Sequence, residues 1–294
     1  AAFPLPPRQL ADAGEALAAQ PACDPCPLQR PAADELAVAD HAGSQLVAAW
    51  VRRQGRGATG TVRVLDYKNR PTRLPFDVQG QQDVTCGAGC RRFSTLGARV
   101  RVRVRDRGRQ YIAALPTRWQ AGESTRARRL LERAQAAMRK LRSVRQLERV
   151  TSGPGSFAQT TYRLQAPDRF AYINAPSGTA SVVIGKRQWS RYEPGAPWQP
   201  GRYGSGIAFS TRSWWRWTNY AQEVRLLRQL RRAGRRLAVV ALMGPGTPAW
   251  IRLTIDIDRR RVVEEMTIAK GNFATSRYSA FNAPVQIVAP NDSR

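Results

Sequence analysis

"AWIRLTIDIDRRRVVEEMTIA", Ala249 to Ala269, decides how this chain folds. Ile251, Leu253, Ile255 and Ile257 recur at every second position, the period of a strand whose alternate side chains share one face. Asp256 and Asp258 then mark a tight turn, where a short acidic side chain bonds its own backbone. "RVVEEMTIA" resumes as a second strand, and Met266 and Ile268 are assigned to the same side as the isoleucines. Glu264 and Glu265 are neighbours on that strand and so face opposite ways, which excludes an acid–base dyad between them. Two strands joined this closely form an antiparallel hairpin.

The same reading extends in both directions. From about 146 to 289, "QLERVTS", "FAQTTYRLQ", "DRFAYI", "ASVVIG", "RQWSRY", "RRLAVVALM" and "FATSRYSAF" also read as strands, nine with the opening hairpin. Tight turns between so many strands predict one large antiparallel, strongly curved sheet. A helix is predicted within "SWWRWTNYAQEVRLLRQL", 213–230. Upstream, "GESTRARRLLERAQAAMRKLRSV" is the clearest helix, with Ser124 or Thr125 as its cap. Ala127, Leu130, Leu131, Ala134, Ala137, Met138, Leu141 and Val144 form its apolar stripe.

A curved sheet has a concave face. Tyr162, Leu164, Phe170, Tyr172 and Trp189 are expected to line it together with Ile251, Leu253, Ile255, Met266 and Ile268. Either the helices fill this face, or a gap remains that would take an acyl chain, at about 25 cal/mol per Å² of apolar surface buried.

Residues 35–119 switch to short period-two runs separated by Gly, Asn, Pro and Asp, as expected of a small Ig-like β-sandwich. Within it, "RVRVRVR", Arg99–Arg105, places Val100, Val102 and Val104 in a core and its arginines in water or at an edge. Residues 1–34 are rich in Ala and Pro and read as a linker or tether with a short helix at "RQLADAGEALAAQ". The predicted boundary lies near 120, with the curved sheet and its helices occupying 120–294.

The chain carries 48 Lys and Arg against 21 Asp and Glu, a net charge of +27. That permits an anionic membrane surface, an acidic partner or nucleic acid. Against nucleic acid, the cations are nearly all Arg, spread along the chain, with no aromatics interleaved in the basic strand for base stacking. No run of about 18 apolar residues is present. The start lacks the layout of a signal peptide, so an exported protein would appear here already trimmed or excised from a longer chain. Cys23 and Cys26, and Cys86 and Cys90, form two close pairs. Disulfides in an oxidising compartment fit better than a four-thiolate metal site, whose spacing is poor.

Little catalytic chemistry is available. His41 is the sole histidine, and no Ser-His-Asp set can be assembled around it. "VVIGKRQW" fails the phosphate-loop pattern: Ala180 stands where the upstream glycine belongs, and Arg follows the lysine. Asp168, Asp256 and Asp258 are explained by turns, and Met138, Met243 and Met266 add few metal ligands. No enzyme, cofactor or metal site is expected.

"YRLQAPDRF", the W-x-R-L-x-I-D strand before its hairpin, and the ending "FNAPVQIVAP" occur in an order similar to the lipoprotein carrier superfamily. That superfamily includes the LolA and LolB localisation proteins and the LppX/LprG-type lipoproteins; the likeness covers about residues 124–290. It implies a half-barrel with helices on its concave side, holding acyl chains outside the cytoplasm, and it carries over no catalytic residues. The whole layout also resembles the extracytoplasmic C-terminal region of bacterial copper transport and resistance membrane proteins, whose sandwich carries a loop like "CGAGC" at Cys86–Cys90. The membrane helices and the His- or Met-rich copper site of such proteins are missing here. The expectation is therefore mainly β with α: a small β-sandwich, then an antiparallel half-barrel with helices on its concave face. Its expected work is extracytoplasmic binding of a lipid or lipoprotein acyl chain. The alternatives are an accessory ectodomain in copper handling, tethered to a parent or partner membrane protein, and binding to an anionic surface or nucleic acid through charge.

Overall fold

The computed structural model describes residues 31–79, 81–120, 124–204, 208–221, 223–244, 249–269 and 271–290. Cys23, Cys26 and nearly all of the predicted tether, including its helix, lie outside them. The first eight strands are β1 (Glu35–Ala42), β2 (Gln45–Gln54), β3 (Gly57–Leu65), β4 (Phe76–Gln79), β5 (Gln81–Thr85), β6 (Cys90–Thr95), β7 (Arg99–Asp106) and β8 (Arg109–Pro116). They form a five-stranded sheet, β1-β2-β3-β6-β5, facing a three-stranded one, β4-β7-β8. One apolar core joins the two: Val62 and Phe93 from the first meet Val102 and Leu115 from the second.

The basic strand is β7, the centre of the smaller sheet. Val100, Val102 and Val104 are fully buried, while Arg99, Arg101 and Arg105 face solvent. Arg105 pairs with Asp77 on β4 at 3.5 Å. In the larger sheet, Gly60 has no room for a side chain: a Cβ there would fall onto the backbone carbonyl oxygen of Trp50, with the Phe93 ring 3.1 Å away. Gly60→Ala is expected to destabilise the fold by roughly 1–3 kcal/mol through forced strand displacement, measurable by chemical denaturation.

After residue 120 comes α1 (Ser124–Arg139), then β9 (Ser143–Gly153), β10 (Ser156–Gln165), β11 (Arg169–Ala175), β12 (Ala180–Ile184), β13 (Arg187–Arg191) and β14 (Gln199–Arg202). A 3-10 turn (Thr211–Ser213) and the one-turn helix α2 (Trp217–Tyr220) precede β15 (Glu223–Arg232), β16 (Arg235–Gly244), β17 (Ala249–Asp256), β18 (Arg261–Ala269) and β19 (Asn272–Ser279). These strands form one antiparallel sheet, β14-β13-β12-β11-β10-β9-β19-β18-β17-β16-β15. It holds two meanders joined where β19 pairs with β9, and it stays open between β14 and β15.

α1 supplies the roof over the second meander. Ala127, Leu131, Ala134 and Met138 are completely buried. Leu130 is only partly buried against the same core. The helix stops at Arg139, so Leu141 and Val144 reach that core from beyond it.

The predicted helix at 213–230 is corrected: it shrinks to the single turn α2, and residues 223–230 belong to strand β15. Val224, Leu227 and Leu230 mimic helical spacing because a β-bulge at Leu227 shifts the register between Leu226 and Arg228. Val224 and Leu226 face the helix-covered core, whereas Leu227 joins the sandwich core. β14 is a further strand beyond the nine.

The convex face of the large sheet is not free. Met243, Trp250, Ile268 and Phe273 pack on Ala37, Ala39, Leu46, Ala48 and Trp50 of the sandwich, with Trp50 and Trp250 edge to face at 6.2 Å. Arg252 lies 3.6 Å from Asp40 across this junction. Arg225 donates to the carbonyls of Ala33 at 3.2 Å and Glu35 at 3.3 Å.

Candidate functional site

The concave face holds seven of the ten side chains expected there. Tyr162 lies opposite Tyr172 and Leu164 opposite Phe170 across β10 and β11. With Ile251, Leu253 and Ile255 of β17 they share one core with α1. Trp189, Met266 and Ile268 do not belong to it.

Trp189 pairs with Val182, whose other neighbour is Ala171 on the outer face. It packs there with the C-terminal residues Val285 and Ile287. Met266 and Ile268 are reversed by a second bulge: Val262 faces Ile255 in the concave core, but the register shifts before Glu264. Beyond that point Glu265 and Thr267 turn inward, while Met266 and Ile268 turn toward the sandwich. One extra residue in a strand inverts every later side chain.

The trough is filled in this state. Phe170 is the hub of its aromatic half. Its ring lies 4.6 Å from Phe209, 5.6 Å from Tyr203 and Trp214, and 6.4 Å from Tyr172. Tyr203, Phe209 and Trp214 come from the largely irregular stretch between β14 and β15, so this half is roofed by loop, not helix. Hydrogen bonds from the sheet, its turns and α1 hold that roof. Trp214 Nε1 donates to Gln146 Oε1 at 2.9 Å, the Phe209 and Thr211 amides donate to Gly185 and Pro167, and Thr218 and Gln135 exchange two hydrogen bonds. Arg128 and Arg139 of α1 donate to the carbonyls of Ala221 and Trp215.

A polar seam crosses the floor where the meanders join. Glu148, Ser276 and Glu265 are direct cross-strand neighbours on β9, β19 and β18. Tyr162 donates to Glu148 at 3.3 Å and Tyr278 to Glu265 at 2.6 Å. Ser276 accepts from Gln146 at 3.0 Å and bonds Glu148, and the Trp217 indole bonds Glu265. Both glutamates keep some open surface, but surrounding protein desolvates their carboxyls.

That desolvation, with the Glu265 carboxylate nearby, raises Glu148 from 4.5 to about 7. Glu265 is also raised, again mainly by burial. The same burial and the adjacent carboxylates push the Tyr162 and Tyr278 hydroxyls well above their ordinary value. Sequence reasoning missed Glu148. Its only signal was its period-two relation to Val144 and Gln146 in the strand read at "QLERVTS".

The remaining candidates lie elsewhere. Cys86 and Cys90 are joined in a disulfide. Among the described residues no group of three His, Cys, Asp or Glu could hold a metal ion. His41 stacks on Phe273 at 4.5 Å, beside an open cleft of about 410 Å³ between sandwich and half-barrel.

No family model and no curated protein matches this chain. Solved structures do. LprF from Mycobacterium bovis is 14% identical, with a TM-score of 0.43, over 57% of this chain and 98% of its own. The lipoprotein LppX from Mycobacterium tuberculosis is 12% identical, with a TM-score of 0.39, over 56% of this chain and 99% of its own. A LolA superfamily protein from Nitrosomonas europaea is 14% identical, with a TM-score of 0.26, over 54% of this chain and 94% of its own.

Proposed function

We propose that this chain is a non-catalytic, extracytoplasmic binding domain that holds an apolar ligand, a lipid or lipoprotein acyl chain, against the concave sheet. One observation carries this reading: half of an aromatic-lined trough is roofed by loop side chains instead of a helix. Tyr203, Phe209 and Trp214 occupy the space over Phe170 and Tyr172. An acyl chain can replace them because both occupants offer the same apolar contact, at about 25 cal/mol per Å². The Cys86–Cys90 disulfide fits an oxidising compartment. No helix among the described residues is long and apolar enough to cross a membrane.

Native mass spectrometry of protein purified without detergent, followed by lipid extraction, tests the proposal. The expected result is a bound acyl lipid, with tryptophan fluorescence changing on titration with a long-chain fatty acid as Trp214 leaves its site. A bare mass together with an unchanged spectrum would overturn it.

A further inference from the structure

The cations are scattered in sequence, but the half-barrel gathers many of them at one end. Strand register places the connections β10–β11, β12–β13, β15–β16 and β17–β18, and the α1–β9 junction, at the same end of the sheet. Four of these read "RKLR" (Arg139–Arg142), "GKR" (Gly185–Arg187), "RRAGRR" (Arg231–Arg236) and "DRRR" (Asp258–Arg261). The opposite end carries "GPGS" (153–156), "APSGT" (175–179) and "YEPGAPW" (192–198), together with Gly244, Ala249, Ala269, Gly271 and Asn272. Turns of one kind of sheet thus split into a cationic set and a Gly/Pro set.

Local ion pairs do not consume this charge. Arg232 pairs with Glu264 at 2.9 Å and Arg236 with Asp258. Arg231, Arg235, Arg259 and Arg260 are exposed and form no ion pair among the described residues. Holding so many like charges on adjacent hairpin tips costs self-repulsion. A multivalent anion relieves it.

We infer that this basic end of the half-barrel docks on an anionic lipid bilayer. The cations stand on separate turns and strand ends spread along one end of the curved sheet. None of the four basic turns contains an aromatic residue that could stack on a base. Charges spread in this way suit a plane of mobile anionic headgroups, each basic residue near such a surface adding roughly a fivefold gain in affinity. The inference is independent of what fills the trough.

The test is flotation of the whole chain with vesicles of phosphatidylglycerol and phosphatidylcholine, or of phosphatidylcholine alone. Wild type is expected to bind only the anionic vesicles and to be released at about 1 M salt, where the screening length falls to about 3 Å. A quadruple variant, Arg231→Glu, Arg235→Glu, Arg259→Glu and Arg260→Glu, is expected to lose at least about a hundredfold in vesicle affinity. The control carries the same charge change on β7, as Arg99→Glu, Arg101→Glu, Arg103→Glu and Arg105→Glu, and is expected to lose less than tenfold. Circular dichroism of both variants confirms folding. Equal losses in the two variants, no preference for anionic vesicles, or tighter binding to duplex DNA at equal phosphate would each overturn the inference.

Discussion

Phe170→Ala is expected to lower the unfolding free energy by about 3–5 kcal/mol. Phe170 is 1% exposed, and its ring meets four other aromatic rings. Truncation removes the transfer free energy of the ring and leaves a void whose walls belong to two layers, the sheet floor and the loop roof. Those walls lose dispersion contacts that water cannot replace. Phe170→Leu keeps most of the volume and is expected to cost less than about 1.5 kcal/mol. Denaturant midpoints at constant slope read both values. If the alanine variant lost under about 1 kcal/mol, the roof would already be free to settle onto the floor, and the close packing around this ring would not govern stability.

Stability is expected to fall as pH rises from about 5 to 8, and Glu148→Gln is expected to flatten that profile. Glu148 goes from 4.5 unfolded to about 7 folded, so the folded state binds its proton more tightly between those values. Its contribution is fully present below 4.5 and is lost as pH passes through 7. The span is up to about 3 kcal/mol, since each tenfold change in proton affinity is worth about 1.4 kcal/mol. Glu265 moves in the same direction and adds to the slope. At pH 8, Glu148→Gln should therefore stabilise the protein, because the amide keeps hydrogen-bonding capacity without a desolvated charge. Thermal midpoints of wild type and variant at pH 5 and pH 8 measure the effect, and parallel profiles would refute it.

Which strand positions were legible followed from whether the two-residue period ran unbroken. Val100, Val102 and Val104 in β7, and Ile251, Leu253 and Ile255 in β17, sit on buried faces as their alternation required. Met266 and Ile268 were misassigned because they follow a bulge, and 223–230 was read as helix across another; a bulge changes parity without changing composition. Trp189 failed for a different reason. Its face depends on pairing with Val182 and through it with Ala171, a register that no single strand records. The Glu148–Glu265 seam was invisible because its members lie far apart in the chain and meet only where β19 closes the two meanders onto β9.

Local pattern alone determined that this protein is built of antiparallel strands, a basic sandwich strand with a valine core, and one amphipathic helix. Those features depend on side-chain period and turn chemistry, which act between near neighbours. Only the tertiary structure decided which face a strand turns inward beyond a bulge, that the trough is roofed by aromatic loop residues, that two carboxyls meet on its floor, and that dispersed arginines converge at one end. Each of these depends on cross-strand register over long separations, which a shift of one residue inverts.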